Sequence, residues 1–190
     1  MLLDAQTTRP MEGGASFSLS NRLHRAVWRL SWTVLASWTP PPLHGWRRLI
    51  LRLFGAKLST GARVYRTARV WYPPNLTMGR NALIGPGVHC YNQGHITLGD
   101  GVVVSQRSHL CASSHDLRDP HFQLVLRPIR IEANAWIAAE AFVGPGVTVG
   151  EGAVLAARAA LFRDAEPWGI YQGNPATFLK HRVMREGARL

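Results

Sequence analysis

The sequence predicts an all-β fold, a parallel β-helix built from six-residue repeats. The main observation is an aliphatic residue at every sixth position from residue 131 to residue 161, with a small residue four places after each one. Neither an α-helix nor an ordinary amphipathic strand has this period. A coil with three flat faces does, because each face uses one hexad and points its aliphatic residue into a narrow prism. The uninterrupted positions are Ile131, Ile137, Val143, Val149, Leu155 and Leu161.

The same phase extends backwards and gives fifteen hexads over residues 58–166, or about five coils. Two interruptions, near Tyr72 and Gly94, add two residues each, which a corner can absorb. The third adds the fifteen residues 116–130, which we predict to project as a loop. Loops on rigid solenoids commonly present binding groups. The aliphatic positions are 58, 64, 70, 78, 84, 90, 98, 104, 110, 131, 137, 143, 149, 155 and 161, and all are apolar if Cys90 is counted.

The residues before the solenoid divide into two segments. Residues 1–19 are polar and unperiodic, and we predict a flexible lead. Residues 20–57 carry apolar residues every three or four positions and predict two amphipathic helices, one starting at Ser20 or Asn21 and one over 43–54. These helices cap the open end of the solenoid, or their four tryptophans among arginines contact a membrane surface. Both interpretations can hold together.

After Glu166 the six-residue period ends, and residues 167–190 form the last segment. The run Gly173-Asn174-Pro175-Ala176 predicts a turn, because Gly and Pro interrupt regular structure. We predict a short basic helix from Phe178 to Arg185.

The net charge of +11 leans toward the N-terminus, where residues 1–57 hold eight Lys and Arg against two acids. Such a charge suits nucleic acid, an anionic membrane or an anionic small molecule, but no nucleic-acid motif is present. With only Cys90 and Cys111, and Cys90 in an inward position, we expect a reducing compartment and no disulfide framework. No signal peptide or spanning segment is evident. We therefore expect a cytoplasmic protein, peripheral at the inner face of the membrane if the helices bind lipid.

The third interruption singles out His115 as a candidate catalytic residue. His115 closes its hexad at a corner, so the register places it on an outer edge of the prism rather than in the core. A histidine held by a carboxylate or a backbone carbonyl is a general base near neutral pH, able to take a proton from an alcohol that attacks an acyl carbon. Asp116 is a candidate for the group that orients it, although adjacent side chains often diverge.

The other histidines allow a metal-binding alternative. His89 and His95 are six residues apart, as are His109 and His115, and such pairs could cluster across stacked coils or between subunits. Three histidines can bind zinc. The γ-class carbonic anhydrases are left-handed β-helices that place three histidines between subunits. No acidic residues with the right spacing support a second shell here, so we expect no metal.

Nine short motifs follow one another in a distinctive order: Leu53–Lys57, Tyr72-Pro73, Ser105-Gln106, Leu110-Cys111, Ser114-His115-Asp116, Pro128-Ile129, Asn134–Ala139, Gly144–Gly150 and Gly173–Ala176. Each motif alone is weak, but their order and spacing together are specific. From about residue 20 to the end, the chain resembles the hexapeptide-repeat O-acetyltransferases, and more closely the WcaF-type acetyltransferases of bacterial exopolysaccharide (colanic acid) biosynthesis.

The resemblance implies a left-handed β-helix that forms a homotrimer, with acyl-CoA in the groove between neighbouring prisms and the acceptor hydroxyl near the loop. His115 matches the family's catalytic histidine, a general base that supports direct attack on the thioester without a covalent enzyme intermediate. The donor would be acetyl-CoA, and the acceptor a sugar, a nucleotide-sugar or a lipid-linked saccharide. The positions that correspond to the family's coenzyme contacts are Ala139, Ala157, Phe162, Arg163 and Lys180.

The sequence departs from the family pattern at three points. Ala138 stands where a glycine is usual after Trp-Ile, and Phe162-Arg163 stands where a Thr-Lys pair is common, which removes a hydroxyl donor but keeps a charge. Gly85 replaces an asparagine of the galactoside enzymes, so their acceptor specificity does not transfer. Trp136 either packs over a corner or shapes the groove.

The resemblance therefore favours an acetyl-CoA-dependent O-acetyltransferase acting on a sugar hydroxyl. A metal-dependent protein of the γ-carbonic anhydrase kind and a non-enzymatic, membrane-associated scaffold are the alternatives.

Overall fold

The structure is a computed structural model that describes residues 5–185. Its body is a parallel β-solenoid of five complete coils and part of a sixth, in which each complete coil gives one short strand to each of three sheets. Sheet 1 contains β1 (Lys57–Leu58), β4 (Leu76–Met78), β7 (Ile96–Leu98), β12 (Ile129–Ile131) and β15 (Thr148–Val149). Sheet 2 contains β2 (Arg63–Val64), β5 (Leu83–Ile84), β8 (Val103–Val104), β13 (Trp136–Ile137), β16 (Val154–Leu155), β18 (Gly169–Gln172) and β19 (Thr177–His181). Sheet 3 contains β3 (Arg69–Val70), β6 (His89–Tyr91), β9 (His109–Cys111), β14 (Phe142–Val143) and β17 (Ala160–Leu161).

The predicted inward positions form the core. All fifteen aliphatic positions of the hexad register are buried, Cys90 included, which confirms the register. They stack directly from coil to coil, as where Ile131 pairs with Leu98 on one side and Val149 on the other. Small residues at the corners, such as Ala135 and Ala153, are buried as well. Close packing of this kind leaves little room for a larger residue at either type of position.

Two helices precede the solenoid, α1 (Leu19–Leu35) and α2 (His44–Leu53). Helix α1 begins slightly earlier than predicted, because the cap is Ser18, whose hydroxyl accepts a hydrogen bond from the Asn21 N–H at 3.2 Å. Helix α2 buries Ile50 and Leu51 against the first coil. The interpretation of the helices as a cap is confirmed for α2.

A buried arginine fixes the connection between the two helices. The Arg47 guanidinium donates to the Val64 carbonyl at 2.8 Å, to the Thr39 hydroxyl at 2.8 Å and to the Pro40 and Pro41 carbonyls at 3.0 and 2.6 Å. Burial lowers the pKa of Arg47. These bonds hold the proline-rich turn against the first coil.

The apolar stripe of α1 does not cover the solenoid. The helix buries Trp28, whose N–H donates to the Val70 carbonyl at 2.8 Å, while Leu23, Val27 and Leu30 on the opposite side are exposed. The cap interpretation is therefore wrong for the residues that give α1 its amphipathic pattern. The aromatic side of α1 supplies the contact instead, since an indole offers more apolar area and a donor for the edge of the coil.

The described part of the N-terminal lead, residues 5–18, folds back over the solenoid. It contains a short 3-10 helix (Pro10–Glu12), and Phe17 is buried beside Trp71, with 5.0 Å between ring centroids. The flexibility of the lead stays a prediction, and its residues 1–4 lie outside the described part.

The C-terminal segment corrects the prediction of a helix from Phe178 to Arg185. Strands β18 and β19 form an antiparallel hairpin at the end of sheet 2, and the turn that joins them is the predicted one at 173–176. The last parallel strand of a solenoid leaves backbone groups unpaired, and a returning strand satisfies them better than a helix would. Residues 186–190 lie outside the described part. Among residues 5–185, no helix is long and apolar enough to cross a membrane.

Candidate active site

The third interruption of the hexads forms a β-hairpin. Strand β10 (Ser113–His115) pairs with β11 (Leu124–Leu126), so that His115 stands opposite Leu124. The projection begins three residues before the predicted loop 116–130, and β12 has already rejoined sheet 1 at Ile129. The chain thus leaves the solenoid at the corner after sheet 3 and returns to it directly.

The hairpin fixes the ring of His115. Its Nδ1 lies 2.6 Å from the carbonyl oxygen of Phe122. A carbonyl only accepts hydrogen bonds, so Nδ1 carries the proton and Nε2 has a free lone pair in the neutral ring. Phe122 itself has a left-handed backbone conformation, with φ of 51°, which turns its carbonyl toward the histidine across the hairpin.

The carboxylate of Asp116 is engaged elsewhere. Its Oδ1 accepts a hydrogen bond from the Arg118 N–H at 3.0 Å and lies 3.6 Å from the Arg118 Nε. These interactions, the backbone bond first, lower the pKa of Asp116. The carboxylate of Asp116 therefore does not form the hydrogen bond to His115 that its predicted orienting role requires. The Phe122 carbonyl is the hydrogen-bond acceptor for His115 Nδ1 instead.

His115 lines a cleft of about 500 Å³ between α1, the N-terminal lead and the outer surface of sheet 3. The described cleft lining contains no Asp or Glu, and α1 contributes two arginines to it. An anionic or hydroxyl-rich molecule would therefore find donors there and no like charge. The polar residues that line the cleft include Arg22, Arg25, Tyr91, Gln93, Ser113 and Ser114.

Two of these polar side chains are held in place by neighbours. Arg25 Nε donates to the Asn21 Oδ1 at 2.8 Å, and its guanidinium lies 4.2 Å from the centre of the Trp71 ring. Burial is the first cause that lowers the pKa of Arg25. The Gln93 amide donates to the Tyr91 hydroxyl at 2.9 Å, while its Oε1 is buried without a hydrogen-bond partner among the described residues. The cleft is thus pre-formed on the side of these residues.

The predicted coenzyme residues lie around sheet 3. Ala139 and Ala157 stack at the corner before this sheet, where the Arg158 N–H donates to the Ala139 carbonyl at 2.9 Å. Phe162 and Arg163 follow β17 at the other edge, on the side of the sheet from which the His115 hairpin departs. Lys180 lies on β19, opposite Ile170. Within one chain, His115 and the Ala139 corner therefore lie at opposite edges of sheet 3.

Aromatic rings cover the outer surface of sheet 3. His89 stacks on His109 with 4.6 Å between centroids, His109 meets Phe142 at 5.4 Å, and Phe142 meets Phe162 at 5.5 Å. Burial lowers the pKa of both His89 and His109. This surface favours neutral histidines and an apolar neighbour.

Within one chain, His89 and His109, one from each spaced pair, meet across stacked coils, whereas His95 and His115 do not join them. His89 stacks on His109 rather than meeting His95, whose Nε2 lies 2.9 Å from the Thr77 hydroxyl. His115 instead binds the Phe122 carbonyl. The structure shows no group of three potential metal ligands anywhere in residues 5–185. Trp136 is exposed on sheet 2, and its N–H donates to the Ser105 hydroxyl at 2.8 Å.

WcaF of Escherichia coli K12, whose name assigns it to colanic acid biosynthesis as an acetyltransferase, is 40% identical over 170 residues, which cover 90% of this chain and 93% of that protein. The chain belongs to the WcaF family of acetyltransferases. The galactoside O-acetyltransferase of E. coli K12 is a more distant relative, at 27% identity over 118 residues, or 60% of this chain and 56% of that protein. No protein-family model matches the chain.

Solved structures confirm the architecture of this WcaF-family chain. A hexapeptide-repeat acetyltransferase from Vibrio cholerae superposes with a TM-score of 0.78 at 23% identity, covering 88% of this chain and 95% of its own. A galactoside acetyltransferase in complex with coenzyme A gives 0.73 at 20% identity, covering 86% and 83%. The V. cholerae protein has also been solved with acetyl coenzyme A, where the TM-score is 0.72 at 20% identity over 94% of this chain and 100% of that one. At these identities the likeness establishes the fold.

Sequence reasoning missed three elements of the cleft in this acetyltransferase. The Phe122 carbonyl has no side-chain signature, and only the hairpin register reveals it. Arg22 and Arg25 fall within the first predicted amphipathic helix, but their position in the His115 cleft depends on how α1 packs. Gln93 lies beside the second interruption, where the hexad register predicts only a corner.

Proposed function

We propose that the chain transfers an acetyl group from acetyl-CoA to a sugar hydroxyl in exopolysaccharide biosynthesis, with His115 as the general base. The observation that carries this proposal is the 2.6 Å contact between His115 Nδ1 and the Phe122 carbonyl, because His115 lines a cleft of about 500 Å³. It leaves Nε2 as a proton acceptor beside a cavity large enough for a sugar.

The reaction is a direct transfer. The acceptor hydroxyl gives its proton to His115 Nε2 while its oxygen attacks the thioester carbonyl. The C–S bond then breaks, the new ester keeps the acetyl group, and the departing sulfur takes the proton from the imidazolium. The Phe122 carbonyl holds the ring throughout and stabilises the positive charge that forms on it. No covalent bond to the enzyme is needed.

Acceptor recognition is assigned to the cleft beside His115. Arg22 and Arg25 supply guanidinium donors, and the exposed Ser114 supplies a hydroxyl. Ring hydroxyls and phosphate oxygens match this set, so a nucleotide-sugar or a lipid-linked saccharide is the acceptor class we propose. We assign no catalytic role to Asp116, because its carboxylate is held by Arg118.

Donor binding is assigned to Ala139, Ala157, Phe162, Arg163 and Lys180, with the two cations near the coenzyme phosphates. The Ala139 corner lies on the far edge of sheet 3 from His115, and we propose that a neighbouring copy supplies one of the two edges. The half-buried aromatic surface between the edges suits such a contact. A homotrimer, as the family resemblance implies, completes three equivalent sites.

Free Cys90 and Cys111 are compatible with a cytoplasmic location, which we also propose.

The test is an acetyl-transfer assay with labelled acetyl-CoA against nucleotide-sugars and lipid-linked oligosaccharides, with product mapping by mass spectrometry. We expect an O-acetyl ester on a single sugar hydroxyl. Absence of both transfer and calorimetric coenzyme A binding would favour a scaffold, and stoichiometric zinc in the purified protein would favour the metal-dependent alternative of the γ-carbonic anhydrase kind.

A further inference from the structure

Helix α1 presents an unpartnered apolar stripe to solvent. Leu19, Leu23, Val27, Leu30 and Val34 recur every three or four residues, which places them on one side of the helix. Each is between 56% and 66% exposed, while Trp28 on the opposite side is buried in the core. Exposed leucines scattered singly are ordinary, but a continuous stripe over five positions is not.

The stripe continues beyond the end of α1. Leu35, Trp38, Leu43, Trp46, Leu49 and Leu53 are between 42% and 76% exposed. The first four of them line a shallow apolar depression of about 300 Å³ with Thr39, which joins the end of α1 to the start of α2. The Trp38 and Trp46 indoles donate to the Val34 and Leu35 carbonyls at 2.7 and 2.8 Å, so both polar N–H groups are satisfied within the protein. We call these six residues and the α1 stripe the apolar band.

The surroundings of the apolar band are strongly basic. No Asp or Glu occurs in residues 13–99, whereas eleven Lys and Arg do. Within the described residues, only Arg80 of these eleven forms an ion pair with a carboxylate. Arg29 of α1 and Arg52 of α2 are exposed on the same two helices. The two helices that carry the band therefore hold cationic side chains and no carboxylate.

We infer that the apolar band docks on the surface of an anionic lipid bilayer, with both helices lying in the interface plane. Leucine and tryptophan side chains would enter the boundary between headgroups and acyl chains, and the arginines would meet anionic headgroups. A second copy of this chain fits less well, because it would bring the same uncompensated positive charges against one another. No described helix is long and apolar enough to span the bilayer, so the contact is peripheral.

Docking in this way has a consequence for the cleft. Helix α1 contributes Arg22 and Arg25 to the cleft that His115 lines, so the same helix carries the band and one wall of the cleft. If the proposed transferase function holds, the cleft lies next to the bilayer, where a saccharide on a lipid carrier is displayed. The docking itself is independent of that function.

The experiment is flotation of the full chain with vesicles of phosphatidylcholine containing about 30% phosphatidylglycerol, compared with phosphatidylcholine alone. We expect the protein to float with the anionic vesicles at low salt and to be released as salt rises. The double variant Val27→Glu/Leu30→Glu should lower the partition coefficient at least about tenfold, since it places two charges in the stripe. The matched control Val183→Glu changes an exposed apolar residue outside the band and should float as the wild type does.

Two further readouts separate the outcomes. Brominated phospholipid should quench fluorescence in the wild type and less in Trp38→Phe, if the band itself enters the lipid. Wild-type protein that stays folded but fails to float at low salt, or a double variant that floats as well as the wild type, overturns the inference. If the wild type does not bind vesicles and the double variant has a smaller oligomeric mass, the inference is wrong and the band forms contacts between copies of the chain. Acetyl transfer to a water-soluble acceptor, measured in parallel, tests the transferase function separately.

Discussion

The substitution Asp116→Asn tests which group orients the catalytic histidine. It removes the negative charge next to His115 but keeps an oxygen that can accept the Arg118 N–H, now at 3.0 Å, so the turn should hold. The His115 ring is held by the Phe122 carbonyl at 2.6 Å, and that bond does not involve Asp116. The tautomer and orientation of the base should therefore survive.

What remains is a charge effect on the imidazolium that forms during transfer. Side chains of adjacent residues that diverge lie roughly 7 Å apart, and at that distance in water a lost charge changes a rate by about threefold at most, less at high salt. If a carboxylate oriented the histidine, its removal would lower the transfer rate by a factor of about 10² to 10⁴. The two accounts therefore differ by more than tenfold.

The assay is steady-state release of coenzyme A thiol at saturating acceptor, at low and moderate salt. Asp119→Asn is the matched control, because the Asp119 carboxylate also caps the loop by accepting the His121 N–H at 2.8 Å. A loss of more than about thirtyfold in kcat for Asp116→Asn, with Asp119→Asn near wild type, would refute the geometry described for the base.

Three other predictions concern the cap, the donor and the sheet 3 histidines. Arg47→Met should lower the free energy of unfolding by about 3 kcal/mol, since it removes the buried hydrogen bonds of the guanidinium to the Val64, Pro40 and Pro41 carbonyls and to the Thr39 hydroxyl; urea denaturation measures this, and an unchanged midpoint would contradict it. Phe162→Ala should raise KM for acetyl-CoA several-fold with little change in kcat, whereas Phe162→Tyr should not; equal KM values in all three proteins would remove Phe162 from the donor site. Burial lowers the pKa of His89 and His109, so the unfolded chain takes up protons first and stability present above about pH 6.5 should decline as pH falls below it. Thermal melts between pH 7 and 5 check this, and His89→Phe/His109→Phe should flatten the dependence.

The solenoid was predictable from sequence because its rule is local. Each hexad has to put an aliphatic residue inside and a small residue at the corner, so the fifteen core positions follow from counting. The direction of α1 did not follow in the same way. An amphipathic period shows that one side of a helix is apolar, and only packing shows that Trp28, rather than the leucine stripe, faces the solenoid.

The C-terminal strand escaped prediction for a related reason. Two apolar pairs, 178–179 and 183–184, are separated by basic residues, and this pattern does not decide between a helix and a strand. The exposed edge of β18 decides between them, and that edge exists only once the solenoid has formed. Tertiary context overrode local pattern here.

The sequence predicts the His115 side chain of the site, but not the groups that surround it. Counting hexads placed His115 at an outer corner, and the structure puts it on a projecting hairpin. The Phe122 carbonyl that holds it and the arginines opposite it depend on backbone geometry and on a helix far away in sequence. Neither feature can be inferred from the spacing of residues in the sequence.

The most direct test of the account is the rate of acetyl transfer by His115→Ala. The account predicts a fall of about 10² to 10⁴ in kcat, with coenzyme A affinity and oligomeric mass unchanged, because the ring acts on the acceptor proton and not on donor binding. Turnover equal to that of the wild type would contradict it and remove His115 as the base.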